Sequence, residues 1–305
     1  TCFYITYDDL TELDIVNGLA RYIGSQKPLD RLGRKLKPQN PQPLKAKVKN
    51  YPKMRAELAT LDPFILTHTP NFEPQRGPSV PHFIAAKKAP LLFMPIPSGP
   101  TPSILKWMAK LDSVQQNELQ QNFSQNTLRK WKNQHSIHRS FTVLRHPVAR
   151  AYQAFCDKIL TDSEHSYPGI KHHLEKNYGL TLPPQDEEFK VEMHKSAFKT
   201  FLQFLKPNLN LQTNIRIDSH WASQSAIVTG FAGFCLPDQV IREDQITHGL
   251  VSLCDQIALK TAPRFEPEHD PKLNWLDEIY DSDIEGSVKE IYHRDYSMFG
   301  FKTWR

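Results

Sequence analysis

The sequence predicts an α/β fold of three layers, a mainly parallel central sheet between two layers of helices. Two strand–loop–helix units carry that prediction. In the first, Ala89-Pro-Leu-Leu-Phe-Met-Pro-Ile96 has the length and apolar content of a buried strand. Beyond the small and turn-forming residues Pro97-Ser98-Gly99-Pro100-Thr101-Pro102-Ser103, Ile104-Leu-Lys-Trp107-Met108 opens a helix. In the second unit, Phe141-Thr-Val-Leu144 runs straight into Arg145. Pro147 then ends the strand and suits the first turn of the helix that carries Arg150 and Gln153. A third segment, Gln239–Ile246, reads as strand, acidic pair and amphipathic helix, with Leu250, Leu253, Cys254 and Ile257 on one face.

Taken in chain order, Thr1–Tyr7 reads as a strand, and Asp8-Asp9-Leu10 leads into a helix with Val16, Leu19, Ala20 and Ile23 on one face. This repeats the pattern of Gln239–Ile257. Two accounts fit: a strand followed by an acidic N-cap is common, or residues 1–60 are the tail of a preceding domain of the same kind. The second account makes residues 61–89 a proline-rich linker and residues 90–305 the main domain. Lys27–Glu57 holds ten lysines and arginines against two acids. Aromatic residues are sparse there, so it reads as a solvated surface rather than a nucleic-acid arm. Pro63–Pro81 is an irregular linker. Ser113–His138 contains a helix carrying Phe123, Leu128 and Trp131. Val191–Leu205 is a core helix through Phe198, Phe201, Leu202 and Leu205. Ile215–Asp218 reads as a short strand leading into His220-Trp221.

Composition narrows the function. The chain has 305 residues, 39% hydrophobic and 23% charged, with a formal net charge of +5. That mild excess suits an anionic small ligand without demanding nucleic acid. No apolar run approaches the roughly 18 residues of a membrane span, and no signal peptide is visible. Cys2, Cys156, Cys235 and Cys254 show no CxxC spacing and read as reduced residues of a cytoplasmic protein. The 13 histidines show no HExxH or regular ligand spacing, so no metal site is expected.

The two loops hold the chemistry. An arginine at a strand's carboxyl end beside a helix N-terminus lets guanidinium, backbone N–H groups and helix dipole converge on one phosphate. A loop of small hydroxyl residues at a helix N-terminus is a second phosphate cradle. It is not a nucleotide-triphosphate P-loop, because the Gly-Lys-Ser/Thr ending is missing. Together they suggest a sheet that grips a ligand with two phosphate-bearing ends.

This pair resembles the two donor loops of sulfotransferases that use 3′-phosphoadenosine 5′-phosphosulfate. Arg145, Pro147 and Arg150 match the family's Arg-x-Pro-x-x-Arg segment. His220-Trp221-Ala-Ser-Gln224 resembles a His-Trp-x-x-Gln segment of the carbohydrate-type branch. Asp295-Tyr296-Ser-Met-Phe299-Gly300-Phe301 resembles its C-terminal ending. Among relatives, the segments are similar to those of bacterial nodulation-type sulfotransferases. The resemblance implies a P-loop-like sulfotransferase fold, that donor as co-substrate, and a saccharide or small hydroxylated acceptor. It places Arg145, Arg150 and Gln153 on the 3′ phosphate, and Ser98, Gly99, Thr101 and Ser103 along the 5′ loop. His146 and His220 are the two histidines beside these motifs that can serve as catalytic base at neutral pH. Three departures stand out. Ser98 occupies the position of the family's loop lysine, Gln153 that of a serine, and Pro100 and Pro102 remove backbone donors. They support an alternative: a weak or inactive domain of this fold that assists an N-terminal active domain.

Overall fold

The computed structural model describes residues 8–33, 41–60, 73–182, 191–259, 261–268 and 270–305, together with 3 and 5. The chain divides into two compact units, residues 1–72 with 210–216, and residues 73–209 with 217–305.

In the first unit a 3₁₀ turn, Asp8–Thr11, leads into helix α1, Leu13–Tyr22. Asn17 fixes the following loop from both sides, its Nδ2 donating to Leu29 O and its Oδ1 accepting from Leu29 N. Gly18 lies so close to Gln212 that a Cβ would sit 2.9 Å from that carbonyl oxygen. Of the expected apolar face, Val16, Leu19 and Ala20 are half-buried and Ile23 is 74% exposed. Phe3 packs its ring on Tyr22 and belongs to no strand; most of the expected strand Thr1–Tyr7 lies outside the described residues, as do Arg34, Lys35 and Lys37. Short helices α2, Leu44–Lys47, and α3, Tyr51–Thr60, follow.

The second unit holds all four described strands: β1 Ile84–Ala85, β2 Leu91–Phe93, β3 Arg139–Leu144 and β4 Gln239–Arg242. They lie in that order in one sheet. β2–β3 and β3–β4 are parallel, whereas the short β1 pairs antiparallel with β2. Because β2 and β3 are parallel neighbours, the loops that leave them emerge side by side at the same edge of the sheet. On one face Leu91, Phe93, Phe141, Val143 and Ile241 pack with residues of α4 (Thr101–Asp112) and α10 (Ile246–Gln256). Leu92, Thr142 and Leu144 alternate to the opposite face and are also fully buried, so both faces are covered.

The helices between complete the unit: α5 Gln125–Gln134, α6 Pro147–Phe155, α7 Pro168–Tyr178, α8 Val191–Leu209, α9 Gln224–Phe231, α11 Pro271–Ile279, α12 Ser282–Ile291 and α13 His293–Phe299. α8 packs against α6, α7, α11 and α12. Its Phe198, Phe201 and Phe204 join Tyr152, Phe155 and Trp221 in an aromatic cluster.

Two expectations are corrected. Ile215–Asp218 forms no strand: Ile215 lies in the first unit, and the Asp218 carboxylate folds back to accept from His220 N. A local side-chain-to-backbone bond there wins over β propensity. The first loop is also shorter than expected, since α4 begins at Thr101 rather than Ile104. Pro102 has no N–H, which the first helical turn does not need.

Candidate functional site

The loop after β2 is tight. Gly99 N donates to Ile96 O, and a Cβ on Gly99 would lie 2.8 Å from that same oxygen. Ser98 adopts the left-handed conformation, φ 60°, and its Oγ is buried without a hydrogen-bond partner. An orphaned buried hydroxyl calls for a ligand or a strain role. Thr101 and Ser103 stand in the first turn of α4, where their N–H groups have no intrahelical acceptor. The Ser103 side chain is already used: its Oγ accepts from Glu268 N at 3.0 Å.

At the end of β3 the register does the positioning. Leu144 is opposite Arg242, so Arg145 falls opposite Glu243. The Arg145 guanidinium donates through Nε and Nη2 to both Glu243 oxygens, each at 2.9 Å. Its backbone is bracketed by the amide of Gln224, which accepts from Arg145 N and donates to Arg145 O. The Nε/Nη2 edge of a guanidinium uses two of its five donors, so the Nη1 side keeps donors for a second anion.

Arg150 differs from Arg145. Both are buried, but the Nε, Nη1 and Nη2 of Arg150 donate to the carbonyls of Pro97, Ala222 and Ser219. One side chain thereby ties the loop after β2 to the turn 219–222. Gln153 is one turn further along α6, where its Nε2 donates to Asp157 and its Oε1 is buried with no partner. It faces its own helix rather than the loops.

The two histidines also part company. His146 is the N-cap of α6: its Nδ1 accepts from Val148 N, and its Nε2 faces Lys302 O at 2.9 Å, so Nε2 carries the proton. The ring is packed among Tyr296, Phe301 and Trp304. Burial pushes its pKa down, against the opposing bond to Lys302 O. With both nitrogens committed, His146 is built as a neutral structural group. His220 stands on the turn that Arg150 grips. Its Nδ1 is 2.6 Å from Asp218 Oδ1, and the Tyr167 hydroxyl lies 3.2 Å from Asp218 Oδ2.

Two carboxylates, the half-buried Glu73 and the fully buried Asp295, anchor the adjoining helix. Glu73 accepts from Ser223 N and Oγ, and Asp295 accepts from the backbone of Gln224 and Ser225 at the start of α9. A helix N-terminus favours anions. Burial pushes Glu73 up to about 7 and raises Asp295 as well, each against hydrogen bonds that act the other way. Gln224 and Asp295 stand inside segments already singled out, and Glu243 heads the acidic pair after β4. Asp218 is two residues from His220. Tyr167 and Glu73 carry no local signal and are found only by contact in space.

Among the described residues no group of three or more histidine, cysteine or acidic side chains is placed to hold a metal. No helix among them is long and apolar enough to cross a membrane. The sequence pattern described as the Sulfotransferase family matches residues 81–302, which contain every described strand and both loops. No curated protein and no solved structure matches the chain.

Proposed function

The chain belongs to the sulfotransferase family, and on that premise we propose that it transfers a sulfuryl group from 3′-phosphoadenosine 5′-phosphosulfate to a hydroxyl of a saccharide or related acceptor. The observation that carries this reading is Arg145. Glu243 holds one edge of its guanidinium, Gln224 holds its backbone, and the donors on the other edge are unspent at the carboxyl end of β3. A preset arginine of this kind binds phosphate bidentately without first losing rotamer freedom. The Ser98 hydroxyl and the N–H groups of Thr101 and Ser103 are suited to the 5′ end. In the reaction the acceptor oxygen attacks sulfur in line as the bridging S–O bond breaks. The bond's electron pair leaves with adenosine 3′,5′-bisphosphate, and His220 takes the acceptor's proton. Arg150 acts beneath the site, through the loop and turn it ties together.

A second reading keeps the fold and the nucleotide site but not the rate. Ser98 stands where the family's cationic loop residue is expected, and Arg150 is spent on three carbonyls. Losing one electrostatic contact at a reacting centre costs about 3–4 kcal/mol of transition-state stabilisation. Titration calorimetry with adenosine 3′,5′-bisphosphate, run beside donor turnover, separates the two. Binding with turnover, both lost in Arg145→Ala, supports the enzyme. Binding without turnover supports a partner domain. Absence of binding at millimolar ligand overturns both.

A further inference from the structure

The turn that Arg150 clamps against the loop after β2 carries a three-residue hydrogen-bonded cluster, Tyr167, Asp218 and His220. Four contacts define it. Asp218 Oδ1 is 2.6 Å from His220 Nδ1 and 2.9 Å from His220 N, so one carboxylate oxygen holds both the ring and the backbone. Tyr167 Oη is 3.2 Å from Asp218 Oδ2 and 3.3 Å from His220 Nδ1. The Tyr167 ring also packs edge-on against His220 and Trp221, and Lys158 Nζ stands 5.0 Å above its centre.

The donors and acceptors can be assigned from this. Burial alone would raise the Asp218 carboxyl, yet the bonds from the His220 ring and backbone hold it below the ordinary carboxylate range. It is therefore an ionised acceptor, and the proton in the short contact belongs to His220 Nδ1. Burial, with Asp218 beside it, pushes the Tyr167 phenol up to about 12, so its single proton stays on and is donated to Asp218 Oδ2. With Nδ1–H fixed in this way, the neutral ring has its lone pair on Nε2. The two carbonyls that flank His220 in sequence, Ser219 O and Ala222 O, are pinned by Arg150, whose Nε sits on Pro97 O. The histidine is thus both tautomerically and spatially anchored next to the loop that contains Ser98.

We propose that Asp218 and Tyr167 are positioning residues that lock His220 in its Nδ1–H tautomer, leaving Nε2 as the proton acceptor for the attacking hydroxyl. The proposal rests on the sulfuryl-transfer reading. Asp218 supplies the fixed acceptor and Tyr167 holds its second oxygen, so the carboxylate cannot rotate away. The same division of labour, an acid that orients a histidine without itself titrating, is a known way to make a base out of an imidazole.

The test uses the full chain labelled with ¹⁵N-histidine and long-range ¹H–¹⁵N correlation spectra, read alongside donor hydrolysis. The probe in the second assay is 3′-phosphoadenosine 5′-phosphosulfate with water as acceptor. Wild-type His220 is expected to show a protonated Nδ1 and an unprotonated Nε2. Asp218→Ala removes the one oxygen that accepts from both the ring and the backbone of His220, so the Nδ1–H lock is lost and most of the population should convert to the Nε2–H form. Hydrolysis should fall by roughly 100-fold or more in kcat with KM for the donor unchanged. Tyr167→Phe keeps the ring and the fold and should give a partial tautomer shift with a loss of a few-fold. It carries the test if the alanine variant does not fold. A wild-type His220 in the Nε2–H form overturns the proposal, as does an alanine variant with an unchanged tautomer or full turnover. The expected tautomer switch with no turnover in any variant keeps the positioning role and rejects the sulfuryl-transfer reading.

Discussion

Arg150 and Arg145 look equivalent in the sequence, two arginines in one short segment, and the structure gives them opposite work. The carbonyls that Arg150 satisfies lie 53, 69 and 72 residues away, so no local pattern could have revealed that it is a tether. Arg150→Lys should therefore destabilise the protein with no ligand present, by about 3 kcal/mol, because one ammonium cannot serve three separated carbonyls. Urea unfolding measures it, and a loss below about 1 kcal/mol would refute the tethering role. Ser98 behaves differently. Ser98→Ala removes an unpartnered buried hydroxyl, so stability should hold or rise slightly while adenosine 3′,5′-bisphosphate binds several-fold more weakly by calorimetry. Glu73 gives a pH signature. Its folded pKa, about 7, exceeds the ordinary 4.5, so the folded state holds the proton more tightly. The stabilisation is complete below about 4.5 and is lost as pH rises through 7. Between pH 5 and 8 the wild type should lose on the order of 2–3 kcal/mol that Glu73→Gln does not lose, as read from urea midpoints at each pH.

Strands and helices were more legible than their boundaries. β3 stands where an apolar run ending in charge placed it, since a buried parallel strand reads as a continuous hydrophobic segment. β4 ends the order of described strands with only Ile241 buried, and the acidic pair after it was the plainer mark. Ile215–Asp218 misled because two isoleucines suggested a strand, but the Asp218 side chain closes a turn instead. The acidic pair after β4 was visible, yet its meaning depended on register, which sets Glu243 beside Arg145. The helix that follows must approach its strand closely. A Cβ on Gly249 would lie 2.6 Å from Ile241 Cγ2, on a strand already fixed by pairing with β3. Gly249→Ala should push α10 away from β4 at a cost of about 1–3 kcal/mol. In an Ile241→Ala background that cost should largely disappear. A thermal double-mutant cycle with no coupling between the two positions would contradict the packing described.

Across the whole chain, the α/β class and the family followed from two loops and their order, because those loops are local in sequence. The division into units did not follow, since residues 210–216 join the N-terminal segment across a large sequence gap. The sequence-based division places a tail at 1–60, a linker at 61–89 and the main domain at 90–305, and β1, Ile84–Ala85, pairs antiparallel with β2. A chain beginning at Glu73 contains every described strand and both loops. We expect it to fold cooperatively and to bind adenosine 3′,5′-bisphosphate as the full chain does. Near-ultraviolet circular dichroism and calorimetry would show it, and a non-cooperative melt would make residues 1–72 necessary to the fold.

The pairing of Arg145 with Glu243 has a consequence for descent. Removing either partner strands the other, at a cost on the order of 2 kcal/mol once the partial exposure of Glu243 is allowed for, whereas replacing both by apolar residues is close to neutral. Single mutations therefore meet a barrier that only a simultaneous change avoids. Selection for folding alone would keep this arginine in lineages that no longer use a nucleotide. Persistence of the Arg-x-Pro-x-x-Arg signature in a gene is then a weaker sign of donor binding than an arginine whose outer edge is still open to solvent.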